Sequence, residues 1–209
     1  ATTPSFAPQQ LFATGSGPFW VTTADVNGDG RLDLVTANSS SNTASVLLNT
    51  TPASATTPSF APQQQFATGS TPRSVAAADV NADGRPDLVV ASYSGVSVLL
   101  NTTAPGATAS TFADQQTFAT GDTPRSVSSA DVNGDGRPDL LVANATSGTV
   151  SVLLNSTAGG ATIPSFSAQQ TFATSTDCDS VTAADVNGDG RPDLLIANSG
   201  FAVPAHSVS

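Results

Sequence analysis

The residues with the clearest chemistry are carboxylates at a fixed spacing. A stretch Asp-x-Asn-x-Asp-Gly-x-x-Asp occurs four times, beginning at Asp25, Asp79, Asp131 and Asp185. Oxygen side chains at positions 1, 3 and 5, Gly at 6 and Asp at 9 make the front half of a calcium loop. A hard cation takes about six to eight oxygen ligands, and only a tight turn aims several of them from one short segment. In the third copy Asp131, Asn133, Asp135 and Asp139 offer side-chain oxygens, Arg137 its backbone carbonyl, and Gly136 permits the bend. The same positions elsewhere are Asp25, Asn27, Asp29, Arg31 and Asp33; Asp79, Asn81, Asp83, Arg85 and Asp87; and Asp185, Asn187, Asp189, Arg191 and Asp193. The expectation is one calcium ion per loop, about four per chain. Ala82 stands where the other loops have Gly, at a position that offers no ligand, and is read as harmless.

A metal-free Asx turn is the competing reading, since Asn, Asp and Gly favour turns anyway. Four copies that keep every candidate ligand weigh against it. An EF-hand does not fit either. Its bidentate Glu at position 12 is replaced by Thr36, Val90, Val142 and Ile196, and the chain has no Glu at all. The apolar runs LVTAN, LVVAS, LLVAN and LLIAN that follow the loops signal strands instead of helices.

The charge balance agrees. All 16 acidic residues are Asp and 12 of them lie in the loops, one Arg to every three Asp. One divalent ion per loop therefore neutralises it, and four ions would move the formal net charge from -10 to -2. Lys is absent and only Arg73 and Arg125 lie outside the loops, which excludes a basic nucleic-acid-binding face. No run approaches the length of a membrane span, so membrane insertion is not expected. The N-terminus carries no secretory signal, and the sequence is read as a mature form or a fragment. The loops, the Ser/Thr/Ala/Pro-rich composition and a single Cys point to an extracellular or cell-surface setting. Cys178 has no partner in the chain and is read as a buried or incidental thiol, with an intermolecular bridge as the lesser alternative.

The loops recur at intervals of 54, 52 and 54 residues, a period that means a propeller or solenoid. Each is preceded by a small-residue segment (VTTADV, SVAAADV, SVSSADV, SVTAADV) and followed by a second strand (34–38, 88–92, 140–144, 194–198). Third strands read ASVLLNT, VSVLLNT and VSVLLNS, and linkers lead to a stretch with two Phe six apart: Phe6/Phe12, Phe60/Phe66, Phe112/Phe118, Phe166/Phe172. The even spacing predicts both rings on one face of a fourth strand, packed between neighbouring sheets. Four short strands per repeat are the content of one propeller blade.

The pattern SVxxADVNGDGRPDLLVANxxSxTVSVLLN resembles the FG-GAP or VCBS-type repeat of secreted bacterial proteins, related to the calcium-binding blades of integrin α-subunit propellers. The resemblance covers essentially the whole chain. It implies a calcium-stabilised β-propeller with ions in the turn between the first and second strands of a blade. The expected fold is all-β, a propeller of four four-stranded blades (about 16–67, 68–120, 121–174, and 175–209 plus 1–15). Its last blade is completed by the N-terminal strand 1–15, the chain's own or a neighbour's, because HSVS at 206–209 could begin a third strand but no Phe-pair strand follows the fourth loop.

Catalysis has little to stand on: His206, the only His, lies in the C-terminal tail with no triad partner near it in sequence. The turns before the first strands vary more, with Phe19 and Trp20, Arg73, Arg125 and Asp179 at matching positions. The resemblance puts them on the face opposite the calcium loops, as a candidate ligand site for glycans or extracellular proteins; core capping and ordinary surface charge are the plainer reading. Sequons at Asn38, Asn49, Asn101, Asn144 and Asn155 fall in expected exposed turns and would carry glycans in a glycosylating source. Three functions are weighed: a non-enzymatic extracellular calcium-binding scaffold or adhesion module that pairs with itself by strand exchange, a lectin-like binding module, and an accessory domain of a larger secreted enzyme.

Overall fold

The β-branched and leucine runs after each acidic loop form the most deeply buried strand of each of four antiparallel sheets. The computed structural model describes residues 3, 6–174, 177–199 and 207–208. The first sheet has the order β1 (Pro18–Ala24), β2 (Asp33–Asn38), β3 (Thr43–Leu47), β4 (Gln64–Ala67). The second is β5 (Ser74–Ala78), β6 (Asp87–Ser92), β7 (Gly95–Leu99), β8 (Gln116–Phe118), and the third β9 (Pro124–Ala130), β10 (Asp139–Asn144), β11 (Thr149–Leu153), β12 (Gln170–Ala173). The fourth pairs β13 (Cys178–Ala184), β14 (Asp193–Asn198) and β15 (Ser207–Val208). Strands follow one another across each sheet in chain order, which is the up-and-down meander of a propeller blade. The first strands lie side by side, β1 by β5, β5 by β9 and β9 by β13, and their Ala, Ser and Thr residues allow that approach.

The core is three apolar layers, one between each pair of successive blades. Val26, Val35, Val46, Val75 and Val90 fill the first, Val80, Val89, Val98, Val127 and Leu140 the second, and Leu141, Val150, Val181 and Ile196 the third. A sheet whose two faces are both covered reads as continuous apolar sequence, which is why β6 and β10 are buried at every position. The Phe pairs belong to the same layers. Phe66 meets Phe112 and Phe118 meets Phe166 edge to face, with centroids 4.8 and 4.9 Å apart.

Two expectations change here. The two Phe of a pair do not share one strand: Phe60, Phe112 and Phe166 each make an isolated bridge, to Asn49, Asn101 and Asn155, and only the second Phe enters β4, β8 or β12. Between them the first Gln of the Gln-Gln pair leaves the ladder and accepts a hydrogen bond from a buried third-strand serine (Ser45–Gln63, Ser97–Gln115, Ser151–Gln169). The N-terminal stretch also behaves differently. Phe12 stacks on Phe60 and the Gly15 N–H bonds Ser45 Oγ, as Phe66 and Gly69 do one blade later, so it docks on the first blade. Yet residues 6–17 form no strand, and the fourth sheet has no fourth strand among the described residues, so closure of the last blade within the chain is not made there. His206 lies outside the described residues.

Candidate functional site

Each acidic loop joins the first and second strands of its blade, as the spacing predicts. Its turn is set by two left-handed residues, position 4 (Gly28, Ala82, Gly134, Gly188) and position 6 (Gly30, Gly84, Gly136, Gly190). Ala82 at φ 52° is thus strained, a correction to its reading as harmless: an L-residue there meets its own carbonyl, at about 1–2 kcal/mol.

Inside the first loop the Asp25 carboxylate accepts the N–H groups of Asp29 (3.0 Å) and Gly30 (2.8 Å). Asp29 accepts the Arg31 N–H and pairs with its guanidinium at 2.5 Å. Asp33 is fully buried and takes the N–H of Val26 (2.8 Å) and of Asn49 (2.7 Å), fastening the loop to the end of the third strand. The second loop repeats every one of these contacts with Asp79, Asp83, Arg85 and Asp87. The third does so with Asp131, Asp135, Arg137 and Asp139. In the fourth, Asp185, Asp189 and Asp193 keep the loop-internal part. Burial pushes the Asp87 carboxyl up to about 6, opposed by the N–H groups of Asn101 and Val80 and reinforced by the charges of Asp83 and Asp79. Asp33 and Asp139 are raised for the same first reason, burial.

The donor set fits a hard divalent cation. Among the described residues no three His, Cys, Asp or Glu side chains already converge as a metal cluster, because each carboxylate is occupied by loop N–H groups or by the Arg. A carboxylate has about four lone-pair sites, however, and two N–H bonds leave room for a metal. The telling atoms are Asn27 Oδ1 and Asn81 Oδ1, buried in their loops with no hydrogen-bond partner while their Nδ2 groups donate to Ala107 and Ala161 of the next blade. A buried acceptor left unpaired in a loop of oxygen ligands suits a cation.

Sequence reasoning missed what the arginines and the third-strand asparagines do. Arg31, Arg85 and Arg137 donate Nε to the carbonyls of Asn49, Asn101 and Asn155, a side-chain role beside the backbone carbonyl read from the motif. Asn101 Nδ2 bonds both Val26 O of the preceding blade and Pro86 O of its own loop; Asn155 repeats this with Val80 O and Pro138 O. The recurring LLN-Thr/Ser-Thr was the available signal. Four of the five sequons do not lie in exposed turns as expected: Asn38, Asn101, Asn144 and Asn155 are buried and their amide nitrogens donate within the fold, while half-buried Asn49 donates its amide nitrogen to Leu32 O at the surface.

The other predicted set also comes together. Phe19, Trp20, Arg73, Arg125 and Asp179 line one cavity of about 290 Å³ at the leading ends of the first strands. Phe19, Arg125 and Asp179 are the extra residues of bulges in β1, β9 and β13, and the Arg73 N–H bonds Ala91 O beside the pair Ser74–Ala91. Bulges re-aim side chains, and those of β1, β9 and β13 turn Phe19, Arg125 and Asp179 to a common place with Trp20 and Arg73. Cys178, which stands where the first and third blades have Pro18 and Pro124, is buried, and burial raises its thiol pKa.

Comparison with known proteins follows the same repeat. The FG-GAP-like repeat profile matches residues 2–36, 25–90, 79–142 and 131–196. No curated protein matches the chain. Among solved structures, BBS1N in complex with ARL6DN, soaked with mercury, superposes with a TM-score of 0.53 at 13% identity, over 90% of this chain and 56% of that one. The lead-soaked crystal of that complex gives 0.48 at 14% identity (90% and 52%). The V. cholerae biofilm matrix protein Bap1 gives 0.49 at 17% identity, over 85% of this chain and 23% of that one. The chain thus spans about half of BBS1N and about a quarter of Bap1, and at such identity the BBS1N likeness speaks for the fold alone. With the motif, the four blades and the profile agreeing along residues 2–196, the chain belongs to the FG-GAP-like repeat family.

Proposed function

We propose that the chain is an extracellular, non-enzymatic repeat scaffold stabilised by four calcium ions, one per acidic loop. The observation that carries this is the unpaired, buried Oδ1 of Asn27 and Asn81 in loops otherwise lined by oxygen. Asp25, Asn27, Asp29, the Arg31 carbonyl and Asp33, with their equivalents, would hold the ion, which supplies charge neutralisation and no chemistry. Because Asn101 and Asn155 tie the first and second loops to the next blade, an ion in either of those loops would stiffen the joint between blades as well as the turn. The test is thermal unfolding with calcium and in excess chelator: the melting temperature should fall by many degrees on chelation, and coincident curves overturn the calcium reading.

Self-association belongs to the same proposal. Val75, Val127 and Val181 are 1%, 6% and 3% exposed under the preceding blade, whereas Val21 at the same position is 59% exposed. At the other end Val186 is 64% exposed where Val26 and Val80 are 1% exposed under the following blade. The first face carries the Phe12 segment and the last sheet has no fourth strand among the described residues, an arrangement that suits pairing with a second copy. Light scattering should show dimers or longer species that Val21→Asp and Val186→Asp each dissociate. A monomer at all concentrations removes self-association and leaves the calcium reading standing.

A further inference from the structure

We infer that the cavity at the leading ends of the first strands binds a carboxylate-bearing sugar, the ring against Trp20 and the carboxylate on Arg73. Of the six arginines four serve the acidic loops, and the other two, Arg73 and Arg125, both line this cavity. With Asp179 the one acid among its lining residues, the cavity is formally positive in a chain of net charge -10. The two guanidinium groups are not equivalent. Arg125 is paired with Asp179. Arg73 lies over the Phe19 ring at 4.9 Å, and its Nε is buried with no hydrogen-bond partner among the described residues. With Nε buried, the two Nη groups are the edge of the guanidinium left for a ligand, and such a planar pair of donors recognises carboxylate in a bidentate manner.

Trp20 supplies the second half of the argument. Its equivalents Ser74 and Ser126 are buried, and their Oγ atoms accept the N–H groups of Val127 and Val181 in the next blade. A tryptophan has no acceptor to offer there, and Trp20 remains 45% exposed beside exposed Phe19. The backbone leading into the site is also held in an unusual form: Thr71 and Thr123 adopt φ of 50° and 59°, where β-branched residues are rare, at the turn that Gly17 makes freely. Strain of this kind persists where surrounding structure holds it, and it clusters at ligand sites. The volume is at the small end for ligand pockets, which suits a single sugar ring with one charged group.

Trp20 is the only tryptophan, so its fluorescence reports on this cavity directly. The calcium-loaded chain at physiological salt is titrated with glucuronic acid, glucose and acetate, which separate ring from charge. Glucuronic acid should give a saturable change, with glucose and acetate each weaker by roughly tenfold or more. Arg73→Ala should raise the glucuronic acid midpoint by roughly tenfold to a hundredfold. Asp179→Asn frees Arg125 and should lower it, a readout that stands even if loss of the Arg73–Phe19 contact unsettles the fold. No saturable change, equal midpoints for glucuronic acid and either control, an unaltered midpoint in folded Arg73→Ala, or an unaltered or higher one in Asp179→Asn overturns the inference.

Discussion

At the scale of single residues, the loops depend on the residues that shape their turns and on the side chains that tie them to their neighbours. Ala82 shapes it at a cost, so Ala82→Gly should stabilise the chain by about 0.5–1 kcal/mol, the relief of left-handed strain less the added freedom of the unfolded chain. Denaturant titration measures it. Asn101 spans two loops, and Asn101→Ala, which leaves Val26 O and Pro86 O without their donor, should cost about 1–3 kcal/mol. Asn49 donates its amide nitrogen to Leu32 O alone and is half exposed, so Asn49→Ala should cost less. Protons test the carboxylates. Asp87 titrates near 6 in the fold, and Asp33 and Asp139 also lie above the ordinary 3.8. Between about 4 and 6 the metal-free fold therefore holds more protons than the unfolded chain, and its stability falls as pH rises through that window. The depressed Asp135 and Asp185, held down first by the N–H groups of Arg137 and Gly190, act only below it. In chelator the chain should melt higher at pH 4.5 than at pH 7; in calcium, which needs ionised ligands, the order should reverse.

At the scale of elements, the outer strands do more for the joints between blades than for their own sheets. β4, β8 and β12 are three or four residues long, but Phe66 and Phe118 each reach the next blade's first Phe. Phe118→Ala should cost about 2–3 kcal/mol, below the loss for a fully buried ring because Phe118 is half exposed. Phe172 makes no such pair among the described residues and is exposed, so Phe172→Ala should cost little in a monomer. If a second copy covers it, the same substitution should weaken association instead. Comparing the two variants by calorimetry and by light scattering separates joint from edge.

For the whole molecule, the blades form a row of joints rather than one core, so stability is close to a sum of neighbour contacts. At calcium tenfold above its dissociation constant each filled loop should add roughly 1.4 kcal/mol. Four loops together would add about 5–6 kcal/mol, comparable with the entire stability of many domains. Asp135→Ala should remove one ion and raise hydrogen exchange most in the third blade, with damage fading along the row. Equal loosening of all four blades would contradict one independent site per blade.

The sequence by itself determined the repeat, the four loops, the strand after each loop and the all-β propeller class. These depend on local turn chemistry and on apolar runs, both of which are written in consecutive residues. It also marked Phe19, Trp20, Arg73, Arg125 and Asp179 as the variable positions, though not that they line one cavity, three of them at bulges. Only the tertiary structure decided the matters that depend on neighbours. Asn101 and Asn155 look like glycan acceptors in sequence and are buried clamps between blades, because the partner carbonyls, Val26 O and Val80 O, lie 75 residues away. The Phe spacing of six indicates one strand, but Gln63, Gln115 and Gln169 break it by reaching a buried serine 18 residues back. The same tertiary fact separates Val21 and Val186 from their buried equivalents. Side chains of the same type meet water or another blade according to what packs on them, and no local pattern of residues carries that information.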